Sequence, residues 1–63
     1  MMTRKDYIET ANILANVREN LLLLGEMGED IFSTLVADFV EMFEEDNERF
    51  QAERFDNACW GED

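Results

Sequence analysis

Cys59 and sixteen carboxylates are the side chains of this 63-residue chain with the most chemistry to offer. A nucleophilic cysteine needs a base and usually a positive surround, and the chain contains no His. Cys59 beside Trp60 therefore reads as a small core residue. Two carboxylates acting as acid and base need a cleft around a substrate. A chain this short buries only about 60% of its unfolded surface and has little to build a cleft from. Between Asp46 and Asp56 oxygen donors are plentiful, but the alternating ligands and central Gly of a calcium loop are missing. No Gly-rich phosphate loop is present. The expectation is a protein that is not an enzyme, with no catalytic residue, no metal and no cofactor.

What remains is surface chemistry, and there charge is the strongest signal. Sixteen acids against five bases give a net charge of −11 at pH 7. This argues against direct binding to nucleic acid or to an anionic membrane, which requires basic surface. The charge is unevenly placed. Residues 1–24 hold three acids and three bases, whereas residues 25–63 hold thirteen acids and two bases. In the second half Asp38, Glu41, Glu45 and Glu48 follow at i, i+3, i+7 and i+10, the spacing of one helical stripe. Such a stripe can occupy a basic groove on a partner protein, imitate nucleic-acid phosphates, or simply keep an apolar protein soluble.

These residues must be carried by helices. There is no Pro, Gly occurs only at positions 25, 28 and 61, and the hydrophobic fraction of 46% is too high for a disordered segment. A first helix is predicted over residues 4–24. Thr3 is its N-cap, Asp6 is a shorter relative of the capping-box Glu, and Met2 and Tyr7 stand at hydrophobic-staple spacing. Tyr7, Ile8, Ala11, Leu14, Ala15, Val17, Leu21, Leu22 and Leu24, extended by Ile13, form an apolar arc of roughly 220°, far wider than an ordinary stripe. The break falls at residues 25–28, with Gly25 as a left-handed cap. A second helix is predicted over residues 29–45, with Ile31, Phe32, Leu35, Val36, Phe39, Val40, Met42 and Phe43 as its apolar half. A third covers residues 48–59 behind Asn47, or starts near Gln51 with Phe50 as an anchor in the turn. The fold expected is all-α: residues 1–63 as one domain, an antiparallel helical hairpin plus a short third helix.

The two ends also carry a resemblance. Thr3-Arg4-Lys5-Asp6-Tyr7 opens the chain, and Asn47-x-Arg49-Phe50-x-x-x-Arg54-Phe55-x-x-Ala58-Cys59 closes it. Together they resemble a group of short proteins encoded by bacteriophages and prophages. In that group Pro often follows the Asn and Asp the first Phe, where this chain has Glu48 and Gln51. The resemblance covers about a third of the chain and implies a phage origin and the cytoplasm of an infected bacterial host. It names no catalytic residue. The same residues also have a structural reading, as a cap, a staple, a turn and two core anchors.

A reducing compartment agrees with the single Cys, which cannot form an internal disulfide. The longest apolar run, residues 21–24, is far too short to span a membrane, and nothing at the start reads as a signal peptide. The wide arc of the first helix predicts self-association into a homodimer through Leu14, Arg18, Leu21 and Leu22. Arg18 projects from the middle of that arc, and Asp38 or a carboxylate of a second subunit is its expected partner. The function expected is that of a phage accessory protein. It binds and modulates a host protein, one with a basic surface, through Asp38, Glu41, Glu45 and Glu48. Acting as a nucleic-acid mimic against a host nuclease or transcription protein, or as a phage assembly component, are the alternatives.

Overall fold

The computed structural model describes residues 3–61 and contains three helices and, among those residues, no strand. They are α1 (Arg4–Leu22), α2 (Glu26–Asp46) and α3 (Ala52–Cys59). The start of α1 is chemical. The Thr3 hydroxyl accepts from the Asp6 N–H at 3.3 Å, and the Asp6 carboxylate accepts from the Thr3 N–H at 2.9 Å. This reciprocal box satisfies two amides that the helix cannot. Met2, the expected staple partner of Tyr7, lies outside the described residues.

The break between the first two helices is shorter than residues 25–28. The turn takes residues 23–25, and Gly25 closes it at φ 73° and ψ −145°, a conformation open to glycine and strained for other residues. α1 ends at Leu22, two residues early, and α2 begins at Glu26, three residues before its predicted start. Gly28 is therefore helical and buried. Its value is steric. A Cβ at this position would collide with the backbone carbonyl of Leu21, so glycine lets α2 sit against the backbone of α1. A mid-helix glycine costs about 1 kcal/mol in propensity, which this close approach offsets.

The second break corrects the main expectation for helix three and agrees with its alternative start. Asn47 ends α2, its N–H donating to the Phe43 carbonyl, and its side-chain oxygen then accepts from the Arg49 N–H at 3.0 Å. An Asn that closes its own turn in this way is not available to cap a helix at residue 48. α3 starts only after Gln51, with Phe50 held in the turn by its N–H to the Asn47 carbonyl.

Ala11, Leu14, Phe32, Val36, Phe43, Phe55 and Cys59 form the buried core. Phe43 is its hub. Its ring meets Tyr7 of α1 at 4.9 Å, Phe39 at 5.7 Å, Phe50 of the turn at 5.4 Å and Phe55 of α3 at 5.3 Å. Towards the other end of α2, Phe32 meets Trp60 edge-on at 4.7 Å. Tilted and edge-on pairs of this kind add about 0.5–1.5 kcal/mol each beyond burial. The Tyr7 hydroxyl completes the polar side of this cluster by donating to an Asp46 carboxylate oxygen at 3.4 Å.

Arg18 does not meet Asp38. Its guanidinium lies beside Gly61, just past the end of α3, where a Cβ would stand 3.1 Å from Nη2. The reason is rotational. Arg18 follows Ala11 by seven residues, two turns along the same face, and Ala11 lines a hollow together with Phe55 and Ala58 of α3. The face that carries Arg18 is covered by α3, so a cation reaches the negative end of that helix's dipole. Nε is buried without a hydrogen-bond partner.

Two substitutions test this packing. Gly28→Ala should destabilise the fold by about 1–3 kcal/mol through overpacking, lowering the melting temperature by roughly 4–24 °C for a chain of this size. Arg18→Leu removes an unsatisfied buried nitrogen that costs about 1–3 kcal/mol and loses a dipole contact of about 0.3–1 kcal/mol. Its melting temperature should equal or exceed that of the wild type, and a fall of several degrees would show that the guanidinium is firmly bound.

Candidate functional site

Asp38, Glu41 and Glu45 are all exposed on α2. At about 100° per residue they occupy an arc of roughly 60°, so one partner surface can meet all three. Glu48 is exposed as well, but it does not continue their stripe. The helical path ends at Asp46, and Glu48 sits in the following turn. The i+10 step predicted for it requires a helix that has already ended.

The apolar residues beside this stripe were expected in the core. Ile31 and Met42 read as part of the buried half of helix two, yet both are exposed. So are Ile13 and Val17 of α1, and Met27 in the first turn of α2 is 70% exposed. Their common cause is the position of α3. Ala11 of α1 lines one hollow with Phe55 and Ala58, and Val36 of α2 lines another with Ala52 and Trp60. Ile13 and Val17 lie roughly 120–160° around α1 from Ala11, and Met27, Ile31 and Met42 roughly 120–180° around α2 from Val36. These side chains belong to the sides of α1 and α2 that α3 leaves open. Asp38 and Glu45 stand four and three residues from Met42. The outer face of α2 thus carries the large apolar side chains Met27, Ile31 and Met42 interspersed with the carboxylates Asp38, Glu41 and Glu45.

The residues expected to make an assembly face separate into two kinds. Leu14 is 4% exposed and lies in the core, and Arg18 is turned to α3. Leu21 and Leu22 remain half-buried at the end of α1. The sequence signal that could have found Ile13 and Val17 instead is the width of the arc itself, since neighbours on one side leave the far edge of 220° uncovered.

Among the described residues no three carboxylate or thiol groups converge as a metal site. Cys59 is free and fully buried. Burial pushes its thiol up from 9.0 to about 11, and the Asp56 carboxylate adds to the rise. Below pH 9 the thiol is mostly protonated in both states. Between pH 9 and about 11 the unfolded chain loses this proton first, so folding stability should fall across that window. At pH 8 a thiol-specific chromogenic reagent should modify the native protein at least about a hundredfold more slowly than the urea-unfolded chain, because burial both blocks access and lowers the thiolate fraction. Equal rates would place Cys59 at the surface.

No helix among the described residues is long and apolar enough to cross a membrane. No protein-family model, no curated protein and no solved structure matches this chain.

Proposed function

We infer that the protein is a non-enzymatic accessory protein of phage origin that binds and modulates a host protein through the outer face of α2. The observation that carries this reading is the exposure of Met27, Ile31 and Met42 with Asp38, Glu41 and Glu45 among them. Large exposed apolar side chains set among carboxylates on one helix face suit a protein-binding surface. The carboxylates add complementarity to a basic partner and speed encounter with it. The phage origin rests on the resemblance of the two end segments, and the bacterial cytoplasm as its place of action follows from that origin.

Two finer features of the architecture belong to the same proposal. An antiparallel arrangement of α1 and α2 is supported by Tyr7 touching Phe43 and by the Leu21 backbone lying at Gly28. A homodimer is supported by Ile13 and Val17, which stand exposed on α1 next to half-buried Leu21 and Leu22. In that dimer the second copy covers the α1 edge, and the α2 strip stays available to the host protein.

Affinity capture from bacterial lysate, at low and high salt, tests the main reading. The wild type should retain a specific host protein. Asp38→Asn with Glu41→Gln and Glu45→Gln should weaken capture and its salt dependence together, as should Ile31→Ser with Met42→Ser, with circular dichroism unchanged because all five side chains are exposed. Capture unaffected by either set would overturn the assignment of this face. A nuclease or polymerase captured through the carboxylates alone would favour mimicry, and virion proteins would favour an assembly role. Light scattering across a dilution series checks the dimer, and a mass near 7.4 kDa throughout would sink it.

A further inference from the structure

Three of the chain's five basic residues meet at one place. Arg4 in the first turn of α1, Arg49 in the turn after α2 and Arg54 in the first turn of α3 all line a hollow of about 270 Å³ between α1 and α3. Among the described residues no acid lines this hollow, and at its aromatic wall the Asp46 carboxylate accepts from the Tyr7 hydroxyl at 3.4 Å. Among the described residues, none of the three arginines has a carboxylate within 4.0 Å. Arg54 donates to the Gln51 side-chain oxygen at 3.3 Å, which leaves most of its donors open. The sides of the hollow are apolar. Tyr7 and Phe50, half-buried and edge-on to each other at 4.7 Å, face it together with Ile8, which is 52% exposed.

Nothing in the local sequence requires these three exposed cations to line one hollow. Surface arginines in an acid-rich chain have carboxylates within easy reach, and i, i+4 pairing is the ordinary outcome, as between Lys5 and Glu9. Here the fold gathers cations from three separate segments around an aromatic surface. Guanidinium groups recognise carboxylate and phosphate by paired donors, and the aromatic rings beside them offer an apolar seat.

The nature of the occupant follows from size and charge. The hollow is smaller than the about 300–1,000 Å³ of sites that enclose small molecules. It is suited to one large side chain laid in from a longer segment. A nucleic acid would extend past the hollow and meet the rest of a surface carrying −11. A short acidic segment brings few charges and places them all on the arginines. We propose that this groove binds an acidic segment of a partner protein, with an aromatic side chain seated on Tyr7 and Phe50 and flanking carboxylates on Arg4, Arg49 and Arg54. The lining residues come from α1, the turn after α2 and α3, with none from α2 itself, so this surface is distinct from the acidic strip of α2 and independent of the function proposed for it.

The test is an amide-shift NMR titration at 0.15 M salt, where the Debye length of about 8 Å screens the distant acids from the groove. The probe is a blocked Asp-Glu-Phe-Glu-Asp peptide. Controls are the same peptide with Gly for Phe and a Lys-Lys-Phe-Lys-Lys peptide. Saturable shifts confined to the groove are expected at Tyr7, Ile8, Phe50 and Arg54, with at least tenfold weaker binding of either control. Arg49→Gln with Arg54→Gln should lower affinity for the acidic peptide at least tenfold, and a melting curve within a few degrees of wild type confirms that the variant is folded. Three results would overturn the proposal. The Gly peptide binding as well as the Phe peptide would leave a plain anion site. Tighter binding of a single-stranded oligonucleotide would point to nucleic acid. Self-association of the wild type that the double variant abolishes without peptide would make a second copy the occupant.

Discussion

A helix of eight residues laid on helices of 19 and 21 residues can cover only one side of them. Much of the molecule's character follows from that inequality. The covered side holds Ala11, Leu14, Val36, Phe55 and Cys59 in a close-packed interior. The open side keeps Ile13, Val17, Met27, Ile31 and Met42 at the surface. No rearrangement of rotamers removes them, because the apolar arcs of α1 and α2 are wider than one short neighbour can reach. A chain of 63 residues buries too small a fraction of its surface to hide every apolar side chain it carries.

Within the covered side, cohesion is concentrated in rings. Phe43 joins α1, α2, the turn and α3 through Tyr7, Phe39, Phe50 and Phe55. A single aromatic hub suits a small protein, since one side chain then fixes the mutual position of several segments. The same cluster places Phe50 in the turn, and with it Arg49. The arginine groove is therefore a consequence of how the rings pack, although the arginines themselves contribute little to that packing.

Charge is organised by the same geometry. The carboxylates of α2 lie outward because its other side is occupied, and the cations of both chain ends converge because α1 and α3 are neighbours. The described residues show one ion pair, Lys5 with Glu9, at 4.0 Å and largely solvated. Pairs of that kind contribute little to stability, so the charges act on what approaches the protein more than on its folding. The two surfaces carry opposite signs and different apolar neighbours.

Local chemistry was legible in the sequence. Thr3 and Asp6 form the cap their spacing implies, three amphipathic segments become three helices, and the acids of the second segment lie exposed. Those features depend on residues within a turn or two of one another, where backbone amides and 3.6-residue periodicity decide the outcome. Gly25 and Gly28 show where local reading stops. Both look like turn residues, and only the approach of the Leu21 backbone explains why Gly28 is helical. Ile31 and Met42 look like core, and Arg18 looks like a partner for Asp38. Each was decided by where α3 comes to rest, which is set by a turn at residues 47–51 without periodic signal and by the ring contacts of Phe55 with Phe43 and of Trp60 with Phe32, 12 and 28 positions away. The sequence by itself determined the helices, their caps and the charge imbalance. The tertiary structure alone decided which apolar sides are buried, because burial belongs to pairs of surfaces and no single segment encodes its neighbour.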